Sequence, residues 1–327
     1  MTNFSVIIPL YNKRLHIERA LESVLAQTEA PAEILVIDDA STDGGPDRVA
    51  RFRSDRLEIV RRPRPGPGGY AARNLGILRA RSEWIAFLDA DDAWMPDHLA
   101  TIRDVIAQTR RADRVTCVFT GYSNIFPDGS AVLDRHSTRI GRDRPKALDW
   151  PALLSEWLTL KECPIWTSAS AFRRKALIDA GLFPSGRCRR GGDKDLWLRV
   201  ARNGLCAAAP GATAIYHRDA TNMVTRKNST DARHCLCETI ISMLPTAPET
   251  VRPLLKRLFN QEVYQYALYA VKNRKVSPAS WRGFYARQDP LRFLALAGLS
   301  TRAGAYAARR LGEVLRRHRS ETPQYSN

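Results

Sequence analysis

Several absences narrow what this 327-residue chain can do. None of its six cysteines, Cys117, Cys163, Cys188, Cys206, Cys235 and Cys237, stands in a Cys-x-x-Cys pair, so the usual zinc-binding frame is missing. The Cys-x-Cys at 235–237 has one neighbouring histidine, His234, and reads as reduced thiols of a cytosolic protein rather than as a metal site. No window reaches the roughly 18–20 apolar residues of a spanning helix. The first apolar run, Val6 to Leu10, is short and follows no basic segment, so no signal peptide is expected and the expected location is the cytoplasm. No internal repeat is found. The stretch GPGGYA (66–71) does not complete G-x-G-x-x-G and follows the third expected strand rather than the first, which disfavours a dinucleotide oxidoreductase.

Negative charge is also in short supply. The formal net charge is +17, and it is uneven. From Val251 to Asn327 there are 15 Lys and Arg against four acids, a net of +11, so the first 250 residues carry +6. A basic tail on a moderately basic body suggests an anionic partner for the tail. A nucleic-acid-binding protein would fit the total charge. However, the basic excess is not interleaved with aromatic residues, and no nucleic acid is expected.

What is present is an alternation of strand and helix signals. FSVIIPL (4–10), AEILVID (32–38), LEIVRR (57–62) and EWIAFLD (83–89) read as buried strands. HIERALESVLAQT (16–28), GPDRVARF (45–52) and YAARNLGILRAR (70–81) read as helices between them. RPRPGPGG (62–69) excludes regular structure. The expected fold class is therefore α/β, a mostly parallel mixed sheet flanked by helices. After Trp94 the pattern loosens, and helices are expected at 96–109, 149–158 and 191–204, with strands at 114–126, 130–134 and 212–218. From about Asp231 the chain is almost entirely helical in signal, which gives a C-terminal helical appendage. The expected domains are 1–225 and a basic helical region, 226–327, with the first divided into halves of about 1–110 and 111–225.

Ligands of such sheets bind beyond the carboxyl ends of the strands, which places Pro9, Tyr11, Asn12, Asp38, Asp39, Asp89 and Asp91 on one rim. In FLDADDAWMP (87–96) three carboxylates, Asp89, Asp91 and Asp92, fall within four residues. Hard cations such as Mg²⁺ or Mn²⁺ use one or two carboxylates plus substrate phosphates, which would neutralise the cluster. The alternative is that Asp91 or Asp92 caps the helix near Pro96. Asp39 can accept from a ribose or base, while DDASTDGG can equally be a turn built by Asp and Ser side chains. Gly66, Gly68 and Gly69 could bring backbone close to phosphate, with Arg73 on the following helix to pair with it. In GGDKDLWLRV (191–200), Asp193 and Asp195 open a helix, either as dipole-stabilised caps or with one of them as a general base, and Trp197 could wall an acceptor. His217, beside Arg218 and Asp219, is a candidate metal or phosphate ligand, or merely structural.

SVIIPLYN, ILVIDDASTDGG, AARNLGI, WIAFLDADDAWMPDHL and GGDKDLWLRVARNG stand here in the order and approximate spacing of one family. They resemble the inverting glycosyltransferases of family 2, with the nucleotide-diphospho-sugar transferase (GT-A, Rossmann-like) fold, over about residues 4 to 220. The resemblance implies a metal-dependent, hexosyltransferase-type enzyme using Mg²⁺ or Mn²⁺. It implies a nucleoside-diphosphate sugar donor, UDP by default, and a glycan or lipid-linked acceptor in bacterial surface polysaccharide biosynthesis. It further implies donor contacts from Pro9, Tyr11, Asp39, Arg73, Asp89 and His217. Asp89 and Asp91 match the DxD motif, with Asp91 the more direct metal ligand. Asp193 matches the catalytic base, while Asp195 and Trp197 are expected on the acceptor side. The chain departs from the pattern at Gly192, where the family's Glu-Asp pair has Glu. A sugar nucleotidyltransferase shares the sheet and the metal, but it should carry a Gly-rich loop after the first strand, and PLYNKRLHIE has no glycine. The basic C-terminal stretches 291–299 and 303–319 could lie on an anionic membrane, at the inner face of the plasma membrane, or pack as an appendage or dimer contact.

Overall fold

The computed structural model describes residues 2–137, 139, 144–188, 191–220, 235–272, 283–301, 304, 306 and 307. These fall into two compact units, Met1–Lys227 and Asn228–Asn327. In the first, the elements in order are β1 (Phe4–Leu10), α1 (Ile17–Leu25), β2 (Glu33–Asp38), α2 (Gly45–Val49) and β3 (Leu57–Arg61). There follow α3 (Tyr70–Arg79), β4 (Trp84–Phe87), β5 (Ala93–Trp94), α4 (His98–Gln108), β6 (Val115–Ile125) and β7 (Ala131–Leu133). The remainder are β8 (Lys146–Leu148), α5 (Trp150–Leu160), β9 (Ser170–Arg173), α6 (Arg174–Asp179), α7 (Gly192–Ala201) and β10 (Leu205–His217).

All the strands belong to one sheet, in the order β3-β2-β1-β4-β9-β6-β10-β5, with β7 added to β6 and β8 to β10. The β3-β2-β1-β4 half is parallel, as the strand–helix alternation requires. β9 then runs antiparallel to both β4 and β6, which turns β6 back to the direction of β4, and β10 is parallel to β6. The consequence for function is geometric. The carboxyl ends of β1, β2, β4, β6 and β10 and the amino end of β9 all lie on one rim.

Period-two alternation decides which residues meet which helices. Val6, Ile8 and Leu10 of β1 share a core with Ile17, Leu21 and Val24 of α1 and with Leu99, Ile102 and Val105 of α4. Ile7, between them, meets α3 on the other face. There Gly76 approaches so closely that an added Cβ would stand 2.7 Å from Ile7 Cγ2. On that second face Phe87, Phe172, Phe183 and Trp197 form an aromatic core, with the rings of Phe172 and Trp197 stacked at 4.0 Å.

β10 is longer than the expected 212–218 because it begins at Leu205 and is carried past register shifts between Ala208 and Ala214. β5 and β8 were not expected, being two and three residues long with no periodicity to read. In the second unit, α8 (Cys235–Met243), α9 (Arg252–Lys272) and α10 (Pro290–Leu299) enclose Leu236, Ile240, Leu255, Leu258 and Phe259. Asn260 exchanges two hydrogen bonds with the Tyr285 backbone, at 2.9 and 2.8 Å. Most of 303–319 lies outside the described residues. Among the described residues, no helix is long and apolar enough to cross a membrane.

Candidate active site

The rim residues separate into turn builders and site builders. After β2, Asp38 Oδ1 accepts from the Ser41 N–H at 3.0 Å, while Asp43 accepts from the Gly45 and Arg14 N–H groups at 2.9 and 2.8 Å. These carboxylates shape the loop. Asp39, 2% exposed, turns away from it to pair with Arg62 and to accept from the Gly66 N–H at 2.9 Å. The Gly-rich loop is thus folded onto Asp39. It continues through Gly68 and Gly69, both in the left-handed region that glycine tolerates, and the Gly68 carbonyl accepts from Arg73 Nη1 at 3.0 Å. A Cβ on Gly69 would come within 3.8 Å of Pro9, so loop, β1 and α3 converge there. Pro9 is half-buried and Tyr11 exposed.

Each carboxylate past β4 has a separate partner. Arg73 Nη2 pairs with Asp89, and Lys13 Nζ stands 2.6 Å from Asp91 Oδ2. Ser168 Oγ donates to Asp92 Oδ2 at 2.6 Å and accepts from the Asp89 N–H at 3.1 Å. Burial, then Asp91 and Asp89, push the Asp92 carboxyl well up, against Ser168 and the His217 backbone N–H. Neither Asp91 nor Asp92 caps the following helix, whose N-cap is Asp97. Burial lowers Arg73, but Asp89, Tyr70 and Asp193 outweigh it and raise its pKa. Arg73 therefore links the carboxylates after β4 electrically with the start of α7. His217 lies in the field of Arg19, Asp219, His16 and Asp91, and burial lowers its pKa.

Asp193 is half-buried in the first turn of α7, behind Gly191 in the left-handed region. The departure at Gly192 has a steric cause. A Cβ there would stand 2.8 Å from Tyr70 Cζ and 2.8 Å from Pro184 Cγ, so no glutamate fits without displacing Tyr70. The Gly192 N–H donates to Tyr70 Oη at 2.8 Å, which satisfies one of the open donors of the helix. Burial, then Asp193, raise the Tyr70 phenol well up, so it stays protonated and its ring stacks on Phe183 at 5.8 Å.

Two expected acceptor contacts are corrected. Asp195 and Trp197 are both 0% exposed. Trp197 belongs to the aromatic core, and Asp195 Oδ2 accepts from Arg199 Nη2 and Nε at 2.7 and 3.1 Å. Arg199 also donates to the Ala180 and Leu182 carbonyls, so this pair closes the α6–α7 connection and faces no acceptor. Lys13, Arg62, Tyr70 and Ser168 were missed. The lysine directly after PLYN was a readable signal, whereas the others are joined to the site by folding alone.

Among the described residues, no group of three or more His, Cys, Asp and Glu side chains is arranged to hold a metal by itself. Asp89 and Asp91 nevertheless offer hard oxygen donors, and the Lys13 pair uses Oδ2 of Asp91 and leaves Oδ1. The donor set fits Mg²⁺ or Mn²⁺ provided that substrate phosphates complete the shell.

Arg199→Ala is expected to strand the buried Asp195 charge and to destabilise the first unit by about 3–5 kcal/mol, read by urea unfolding. An Arg199→Ala protein of unchanged stability would show that the pair does not hold α7.

Comparison with known proteins bears on the fold and the family. The chain is 34% identical over 220 residues to the succinoglycan biosynthesis protein ExoO of Rhizobium meliloti, covering 64% of this chain. It spans 59% of ExoO, and 30% and 32% of two further relatives. The fold matches that of S. aureus TarS 1–349, solved with UDP-GlcNAc, with a TM-score of 0.69 at 18% identity over 97% of this chain and 92% of that one. It also matches the mannosyltransferase PcManGT of Pyrobaculum calidifontis, solved with GDP-Man and Mn²⁺, with a TM-score of 0.56 at 19% identity over 94% and 86%. These are GT-A glycosyltransferase structures. The family described as glycosyl transferase family 2 matches residues 5–181, more than half of the sequence, and the chain belongs to that family.

Proposed function

We propose that the chain transfers a sugar, with inversion, from a nucleoside-diphosphate sugar to a hydroxyl of a glycan or lipid-linked acceptor, in bacterial surface polysaccharide assembly. The observation that carries this reading is the order of groups along one rim. Asp39 follows β2, Pro9 and Tyr11 mark the end of β1, Asp89 and Asp91 follow β4, and the helix that carries Arg73, the partner of Asp89, is bonded through Tyr70 to the start of α7, where Asp193 stands. In this reading residues 1–110 hold the nucleotide sugar and 111–225 the acceptor. Pro9, Tyr11 and Asp39 contact the nucleoside, and Arg73 and His217 attend the diphosphate. The TarS and PcManGT complexes support a nucleotide-sugar donor, and ExoO supports the polysaccharide setting.

The chemistry follows from these positions. Asp193 takes the proton of the acceptor hydroxyl as its oxygen bonds to the anomeric carbon. The bond from that carbon to the diphosphate oxygen breaks on the opposite face, so one displacement inverts the centre and no side-chain nucleophile is required. A divalent cation held by Asp91 and Asp89 would supply neutralisation of the departing diphosphate.

A thermal-shift screen against UDP, dTDP, GDP and CMP, each with Mn²⁺ and with EDTA, is expected to give a metal-dependent rise for one diphosphate. Asp193→Asn should keep that rise and lose transfer by about 100-fold or more, the range of general-base effects. No shift with any nucleotide, or wild-type turnover by Asp193→Asn, would refute the assignment. A peripheral membrane contact through the basic tail is part of the proposal, supported by Leu291 and Leu294 of α10, which are 79% and 66% exposed. Binding to vesicles containing anionic lipid should be lost on deletion of 290–327, and retained binding would remove the tail from that role.

A further inference from the structure

With Trp197 and Asp195 enclosed, the acceptor needs a different wall. Three half-buried aromatic rings from distant parts of the chain meet on the same rim. Tyr122 comes from the carboxyl end of β6, Tyr216 from the carboxyl end of β10, and Trp166 from just before β9. Tyr122 and Trp166 lie 4.3 Å apart between ring centroids, Trp166 and Tyr216 5.0 Å, and Tyr122 and Tyr216 6.3 Å. Arg218 stands over the Tyr216 ring at 4.1 Å and donates to Asn124 Oδ1 at 2.6 and 3.0 Å.

The segment that carries Trp166 is bonded to the carboxylates that follow β4. Ser168, two residues after Trp166, holds Asp92, and the His217 backbone N–H, next to Tyr216, acts on the same carboxylate. Asp92 therefore fastens the segment that carries Trp166. Glu162 lies in the field of Arg135, Asp134 and Lys194, and Lys194 directly follows Asp193. Tyr122 in turn lies in the field of Asp134, Glu162 and Arg218. The sheet order separates Tyr122 and Tyr216 from β1 and β2, where the nucleoside is assigned, by β4 and β9.

We propose that Tyr122, Trp166 and Tyr216 form a platform that binds a sugar ring of the acceptor, with Arg218 at its edge as the group that engages its hydroxyls. This rests on the reading of Asp91 and Asp193 as the reaction centre. The electron-rich faces of aromatic rings attract the polarised C–H groups on the flat side of a pyranose, and a few charged groups at their edges fix the hydroxyls.

The test uses full-length protein on an array of gluco-, galacto- and manno-configured oligosaccharides, with nucleotide thermal shift measured in parallel. Wild type is expected to be retained on at least one configuration. Trp166→Ala should lower retention at least tenfold and Trp166→Phe should keep most of it, while both keep the nucleotide shift. If Trp166→Ala does not hold the nucleotide, Tyr216→Ala carries the same comparison. No retention of wild type on any sugar, or equal retention by the alanine variant, overturns the platform. Loss of the nucleotide shift in wild type would instead overturn the donor reading and leave the sugar result legible.

Discussion

Negative charge gathered at the ends of parallel strands must be neutralised, and the arrangement of the first unit depends on how this is done. Two unit charges 4 Å apart interact by about 4 kcal/mol at an effective dielectric of 20, enough to forbid several unmatched carboxylates at one rim. The chain answers with one partner for each. Arg62 comes from the end of β3, Arg73 from α3, Lys13 from the turn before α1, and Ser168 from the approach to β9. Since each partner comes from a different element, charge balance fixes where α1, α3 and the Gly-rich loop sit. With Lys13 and Arg73 already engaged, the proposed diphosphate would call for an added cation or for an exchange of partners by these two.

The same economy explains the start of α7. A glutamate before Asp193 would add a further carboxylate beside Asp89 and Asp193. Instead the space is filled by the neutral Tyr70 ring, whose hydroxyl caps the Gly192 N–H. Tyr70 and Arg73 lie one helical turn apart on α3, and Asn74 exchanges hydrogen bonds with the Phe183 backbone at 3.0 and 2.9 Å. The helix that holds Asp89 is thus bonded to the segment that leads to Asp193, and the two carboxylates share one rigid support.

Much of this was legible in the sequence where a local rule sufficed. Alternating strand and helix signals gave the parallel half, and the rule of carboxyl ends gave the rim carrying Asp39, Asp89 and Asp91. Asp195 and Trp197 were misread because three successive residues, Leu196, Trp197 and Leu198, are all buried, which no single helical face predicts. The Asp195–Arg199 spacing of four residues was a readable hint of a structural ion pair. Ser168, Arg62 and the Tyr122–Trp166–Tyr216 trio could not be read, since Ser168 and Arg62 lie 76 and 23 residues from their partners and the trio is assembled by the order β9-β6-β10 rather than by any spacing.

The central proposal is that Asp91 holds a divalent cation whose shell the substrate diphosphate completes. The most direct measurement is the electron paramagnetic resonance of Mn²⁺ titrated with protein, with and without the nucleoside diphosphate selected by the screen. The account predicts weak immobilisation of Mn²⁺ by protein alone, strong immobilisation with the diphosphate, and loss of both in Asp91→Ala. Equal Mn²⁺ binding by Asp91→Ala, or diphosphate binding of the same affinity in EDTA, would contradict it.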